Sequence, residues 1–271
     1  MPRHLGRGLL VLLLLLLGPP GRLAASEPDD AVARPDVGFL VGERLVYNII
    51  WGVIPVGRSE VSTAWVEEEG RPLLRIQART RSNGAISSIY PVDDVLESFV
   101  DPVTFRPVRF VRNLKEGRKR HHDVTTFDFT AMTAHWHSYV KNKQRSFPLE
   151  PDSRDLVTFM YYMRRHQFEP GTTSQFRVMA DDKLYGLSVQ AFSTEPVKLE
   201  RYGTLTSLKM EPTASFEGLF VRKGRMLMWV STDDRRLMTK AEVETPFANV
   251  RLVLEEVHGP GKDAWVKRVA K

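Results

Sequence analysis

From Gly38 onward, apolar side chains fall on every second residue in short runs, and Gly, Pro, Asp or Asn stops each run. A period of two is the repeat of a β-strand, so each run must turn one face to a core and the other to solvent. Leu45, Tyr47, Ile49 and Trp51 alternate on the first run, and the turn GVIPVG at 52–57 follows. Val61, Thr63 and Trp65 alternate on the second, and an acidic turn at 67–70 closes that hairpin. On the third, Leu74, Ile76 and Ala78 face in while Arg75, Gln77 and Arg79 face out. A half-buried antiparallel sheet has this pattern. Further runs at 95–101, 105–114, 118–127, 132–141, 175–180, 184–193, 197–210, 224–231, 237–244 and 249–257 extend it.

One segment breaks the rhythm. Leu156, Phe159, Met160 and Met163 recur at helical spacing and predict a helix over 152–168 that packs this face on the sheet. Asp152 or Ser153 suits its N-cap, Asp155 its first turn, and Arg164, Arg165 and His166 its C-terminal end, before Pro170-Gly171. A shorter helical turn is expected at 85–89. The expected fold class is therefore mainly β: a large curved antiparallel sheet or incomplete β-barrel with one main α-helix packed on it or plugging it.

The N-terminus reads as a secretory signal over residues 1–25. Arg3, His4 and Arg7 precede nine apolar residues at 9–17, Gly18-Pro19-Pro20-Gly21 follows, and Leu23-Ala24-Ala25 offers small residues for cleavage. Nine residues fall well short of the roughly 20 that span a bilayer. Residues 26–37 lack apolar periodicity and read as a flexible leader. Residues 38–271 then form a single strand-rich domain with a short basic C-terminal tail, and the roughly 245 residues left after cleavage can bury a full core. The expected location is the periplasm or an equivalent compartment, in soluble form with no transmembrane anchor after cleavage.

Cysteine is absent, which excludes disulfides, thiolate-bound zinc and the lipid-bearing cysteine of a lipoprotein. Cleavage would remove Arg3, Arg7 and Arg22 from 39 basic side chains, leaving 36 against 33 acidic ones, a net +3. So balanced a chain carries no electrostatic footprint for nucleic acid.

The residues of catalysis are missing in recognisable form. There is no Gly-x-Ser-x-Gly elbow, no His-Glu-x-x-His pair and no phosphate-cradling glycine loop. The pairs Asp93-Asp94, Asp181-Asp182 and Asp233-Asp234 fall beside predicted turns, where turn chemistry accounts for them. Adjacent strand residues also point to opposite faces, which separates the members of each pair. His122, His135 and His137 share one face of a predicted hairpin if residue 137 pairs with 122. Three imidazoles suit zinc or copper, yet the opposite face, with Phe127, Trp136 and Val140, makes the better core side. Neither a metal nor any other cofactor is expected. Lys115, Arg118, Lys119 and Arg120 form a basic approach to the same hairpin, read as a wetted edge. Trp51, Trp65, Met226, Met228 and Trp229 lie in predicted strands, where they can line an apolar cavity or fill a core.

Four stretches in order carry a resemblance: GERLVYNIIWGVIPVG at 42–57, YPVDD at 90–94 running to DPVTFRP at 101–107, RDLVTFMYYMR at 154–164, and WVSTDDRRL at 229–237. Together they resemble the bacterial exported family designated domain of unknown function 3108, over nearly all of 38–257. Leu237-Met238 departs from the proline expected after the Arg-Arg pair. The resemblance implies a secreted strand-rich domain with no assigned reaction. In architecture it is similar to the curved half-barrel carriers of lipids and lipoproteins in the bacterial envelope. The expected function is a non-enzymatic envelope protein that binds or carries an apolar, lipid-like ligand. The alternatives are a structural or assembly factor that binds another envelope protein, and an uncharacterised enzyme.

Overall fold

A computed structural model describes residues 40–180, 182–216, 219–220, 225–244 and 248–260. The expected signal, the leader, Asp181 and the tail with Trp265 lie outside them.

The first half of the chain is an antiparallel meander. β1 (Arg44–Trp51), β2 (Ile54–Glu68), β3 (Arg71–Ser82), β4 (Asp93–Val100), β5 (Pro107–Glu116), β6 (Lys119–Asp128), β7 (Thr133–Ser138) and β8 (Lys143–Pro148) each pair with the next. A single turn of helix, α1 (Gly84–Ser87), sits between β3 and β4, and the Asn83 side chain caps it by accepting the Ile86 N–H. A short β9 (Arg154–Asp155) leads directly into α2 (Leu156–Met163).

The second half comprises β10 (Thr173–Ala180), β11 (Lys183–Leu199), β12 (Gly203–Phe216), β13 (Leu219–Phe220), β14 (Met226–Ser231), β15 (Met238–Val243) and β16 (Val250–His258). β16 returns to pair with β1, with Leu45 opposite Val257, so the two halves join in one sheet. Its order is β8-β7-β6-β5-β4-β3-β2-β1-β16-β15-β14-β12-β11-β10-β9, with β13 off this path on β12. β9 runs parallel to β10; the other pairs are antiparallel.

The sheet curls until its two ends meet, but side chains make the meeting. Arg145 on β8 pairs with Asp182 beyond β10 at 2.9 Å, and Arg177 on β10 pairs with Glu150 at 2.7 Å. Ala134 and Leu149 from one end share a core cluster with Met179 from the other. No backbone ladder joins β8 to β9 or β10 among the described residues. The result is an incomplete barrel, as the alternation predicts.

α2 lies inside this barrel. Val157 and Tyr161 pack with Leu74, Ile76, Phe110 and Met179, while Phe159 and Met163 pack with Phe176, Val189, Met210 and Met228. A helix that carries apolar side chains around most of its circumference is stable only when most of that circumference is covered. The helix is also shorter than its periodicity predicts. Asp155, not Asp152 or Ser153, is the N-cap: its carboxylate accepts the N–H groups of Val157 and Thr158 at 2.8 and 2.9 Å, while its own backbone belongs to β9. Arg164 is the C-cap. No helix among the described residues is long and apolar enough to cross a membrane.

Candidate functional site

The interior is not filled. Between α2 and the inner faces of β1–β5 and β14–β16 lies a cavity of about 160 Å³. Its walls are mainly apolar: Leu45, Tyr47 and Ile49 from β1, Leu96 from β4, Met228 from β14, Leu252 from β16. Leu156 and Met160 of α2 face it and are only partly buried, because the cavity is their neighbour.

Gly57 lets the wall close. A Cβ there would drive into the carbonyl oxygen of Arg81, so only glycine permits β2 to approach β3 this closely.

Polar groups cluster at one part of this wall. Asp94 and Arg112 line the cavity together with Ser59 and Thr80, and alternation places all four on the inner face. Asp94 is 1% exposed; Oδ1 accepts the Lys115 N–H at 2.7 Å, and Oδ2 has no hydrogen-bond partner among the described residues. Burial pushes its carboxyl up to about 7; the Lys115 N–H opposes that rise, and the charges of Glu116 and Asp93 add to it. Arg112 donates to the buried Asp123 at 2.6 Å. A carboxyl that is partly neutral near pH 7 can donate as well as accept a hydrogen bond at the margin of an apolar chamber.

Two anchors hold α2 across the cavity. At its start, Asp155 Oδ2 accepts the hydroxyls of Ser98 at 2.6 Å and Thr158 at 2.7 Å. At its end, Glu43 accepts Arg164, Arg235 and the Tyr161 hydroxyl. Burial alone would raise the Glu43 carboxyl, but Arg164 and Arg235 outweigh it and hold Glu43 below the usual range.

Of the five cavity candidates named from sequence, the structure places Met228 in the wall and the others elsewhere. Trp65 is 47% exposed near the far tip of the β2–β3 hairpin. Trp51 and Met226 pack at the edge of a separate cluster with Ile49, Val56 and Val250. Trp229 follows Met228 and so points to the other face, where its indole N–H donates to Glu195 at 2.9 Å and Lys240 lies over its ring.

His122, His135 and His137 do share a face, although His137 pairs opposite Val124 and not His122; a shift of two residues preserves the face. Tyr139 interposes its ring, 4.9 Å from His122 and 4.2 Å from His137, and His135 bonds Ser146. No three His, Cys, Asp or Glu among the described residues stand close enough to hold a metal ion.

Sequence reasoning missed Asp94 by assigning the pair Asp93-Asp94 to a turn. The pair instead opens β4, with Asp93 outside against Arg79 and Arg81 and Asp94 inside. The usable signal was the alternation itself, which sets Asp94 in phase with Leu96.

The family described as "Protein of unknown function (DUF3108)" matches residues 46–255. The chain belongs to the DUF3108 family. No curated protein matches this DUF3108 chain. Among solved structures it is similar to a β-barrel-like protein of domain of unknown function DUF1849 from Brucella abortus. The TM-score is 0.54 at 10% identity, covering 80% of this chain and 97% of that one. At that identity the likeness shows the fold alone: the incomplete barrel of the DUF3108 protein has a counterpart of similar shape.

Proposed function

We propose that this DUF3108 protein is a non-enzymatic carrier of the cell envelope that takes up the end of an apolar, lipid-like chain. The supporting observation is the cavity of about 160 Å³ between α2 and the sheet, walled by Leu45, Ile49, Leu96, Met160, Met228 and Leu252. An apolar cavity of about 150 Å³ stays dry and binds benzene. A void of this size therefore matches a segment of a few carbons and not a whole lipid. Each buried methylene contributes about 0.8 kcal/mol, and a carrier needs no reacting group. The signal-like residues 1–25 support the envelope location.

The test is titration of an environment-sensitive fatty-acid probe into delipidated protein. Saturable binding is expected, and both Met228→Arg and the space-filling Leu96→Phe should weaken it while the folded spectrum is retained. Absence of saturable binding to the folded wild-type protein would leave the assembly-factor reading in its place.

A further inference from the structure

Successive turns of an antiparallel meander alternate between the two ends of the barrel. One end therefore collects the turns at 52–53, 83–92, 117–118 and 139–142. They are knit into one surface. Asn83 donates its backbone N–H to the Val56 carbonyl and its side-chain amide to that of Pro55. The Gly117 N–H donates to the Pro91 carbonyl, and the Tyr139 N–H to that of His122.

Seven large apolar side chains are exposed among the described residues, and five sit at this end: Val53 (88%), Ile54, Ile89 (80%), Tyr139 and Val140. Only Trp65 and Val103 lie at the other. The same turns expose Lys115, Arg118, Lys119, Arg120, Lys141 and Lys143, with no ion pair to any described residue. Residues 83–92, 117–122 and 139–145 contain no Asp or Glu; of the carboxylates beside them, Glu116 is buried, Asp93 is paired with Arg79 and Arg81, and Asp182 is paired with Arg145.

We propose that this end docks on an anionic lipid bilayer, with Val53, Ile54 and Ile89 entering the interface and the lysines and arginines facing lipid phosphates. Apolar tips rimmed by cations with no carboxylate partner among the described residues suit a headgroup boundary, which offers hydrocarbon and negative charge together. An acidic protein would need carboxylates for six cations and also separate pockets for tips on different hairpins. A bilayer meets both demands without a matched shape. The inference does not depend on what the cavity holds.

The test is co-sedimentation of the full chain with vesicles of phosphatidylglycerol and phosphatidylcholine, or of phosphatidylcholine alone. Every variant carries the same N-terminus, so differences between variants read the barrel end. Wild type should favour the anionic vesicles, and roughly 1 M salt, with a Debye length of about 3 Å, should release much of it. The triple variant Arg118→Glu/Lys119→Glu/Lys141→Glu should lose affinity by on the order of 100-fold. Val53→Asp/Ile89→Asp should also bind more weakly, and neither variant should change the melting temperature. Equal binding by wild type and the triple variant would overturn the proposal. So would binding to polyglutamate that matches vesicle binding and ignores Val53→Asp/Ile89→Asp, since that pattern describes an acidic protein partner.

Discussion

Arg164, the residue that ends α2, grips Glu43 with both guanidinium nitrogens, Nη1 to Oε1 at 2.6 Å and Nη2 to Oε2 at 3.0 Å. Glu43 lies just before β1, 121 residues away, so this contact ties the internal helix to the strand on which the barrel's two halves meet. Removing one member of a buried pair leaves the other charge uncompensated, which costs about 3–5 kcal/mol. Glu43→Ala should lower stability by that order in urea unfolding. Glu43→Ala/Arg164→Met should cost less than the sum of the single changes, because no guanidinium of α2 is then stranded.

The same contact responds to acid. The folded pKa of Glu43 lies below the ordinary glutamate value, so its contribution is complete above the unfolded pKa and is lost as pH falls through the lowered folded one. Stability measured downward from pH 5 should drop more steeply for wild type than for Glu43→Gln.

Asp94 runs the other way. Its folded pKa of about 7 exceeds the ordinary value of 3.8, so between those values the folded state holds more protons than the unfolded. Stability should therefore fall as pH rises through this window, by up to about 1.4 kcal/mol per unit from this group. Asp94→Asn should flatten the profile and be relatively more stable at pH 8 than at pH 4. An unchanged slope between pH 4 and 7 would show that Asp94 is charged throughout.

Phe159 packs edge-on against Phe176, ring centroids 5.1 Å apart, inside the barrel. Phe159→Ala should cost about 3–5 kcal/mol. Arg165→Ala, just beyond the helix, should change the melting temperature little. Equal small effects would mean that the helix contributes no core.

At Gly57 the opposing backbone leaves no room for a methyl group. Gly57→Ala should destabilise by about 1–3 kcal/mol through displacement of β2 from β3, read as a lower urea midpoint. Gly84→Ala, where a Cβ meets open space, is the control.

Period-two alternation carried most of the architecture, because a half-buried strand writes its inside and outside directly into the order of residues. Leu45, Tyr47 and Ile49 face inward as that order requires. The helix was legible in position, and its place inside the barrel is the plugging one of the two settings expected, but the extent of its burial was not legible. Leu156, Phe159, Met160 and Met163 suggested one buried face, whereas Val157, Thr158 and Tyr161 are buried too. Thr158 and Tyr161 look polar in sequence, and their burial is possible only because Ser98, Asp155 and Glu43 meet their hydroxyls. Those partners lie far away in the chain, except Asp155. The aromatic candidates failed for a related reason: residue type reports a preference for burial, and phase along the strand decides which side. Met228 and Trp229 are neighbours with opposite destinations.

In a closed barrel, strand number and stagger together dictate the radius. The seam fastened by Arg145–Asp182 and Arg177–Glu150 is free of that arithmetic. Across that seam the spacing of the two ends is fixed by the reach of Arg145 and Arg177 and by the packing of Ala134 and Leu149 with Met179, so side-chain length takes the place of a hydrogen-bond register in setting the girth.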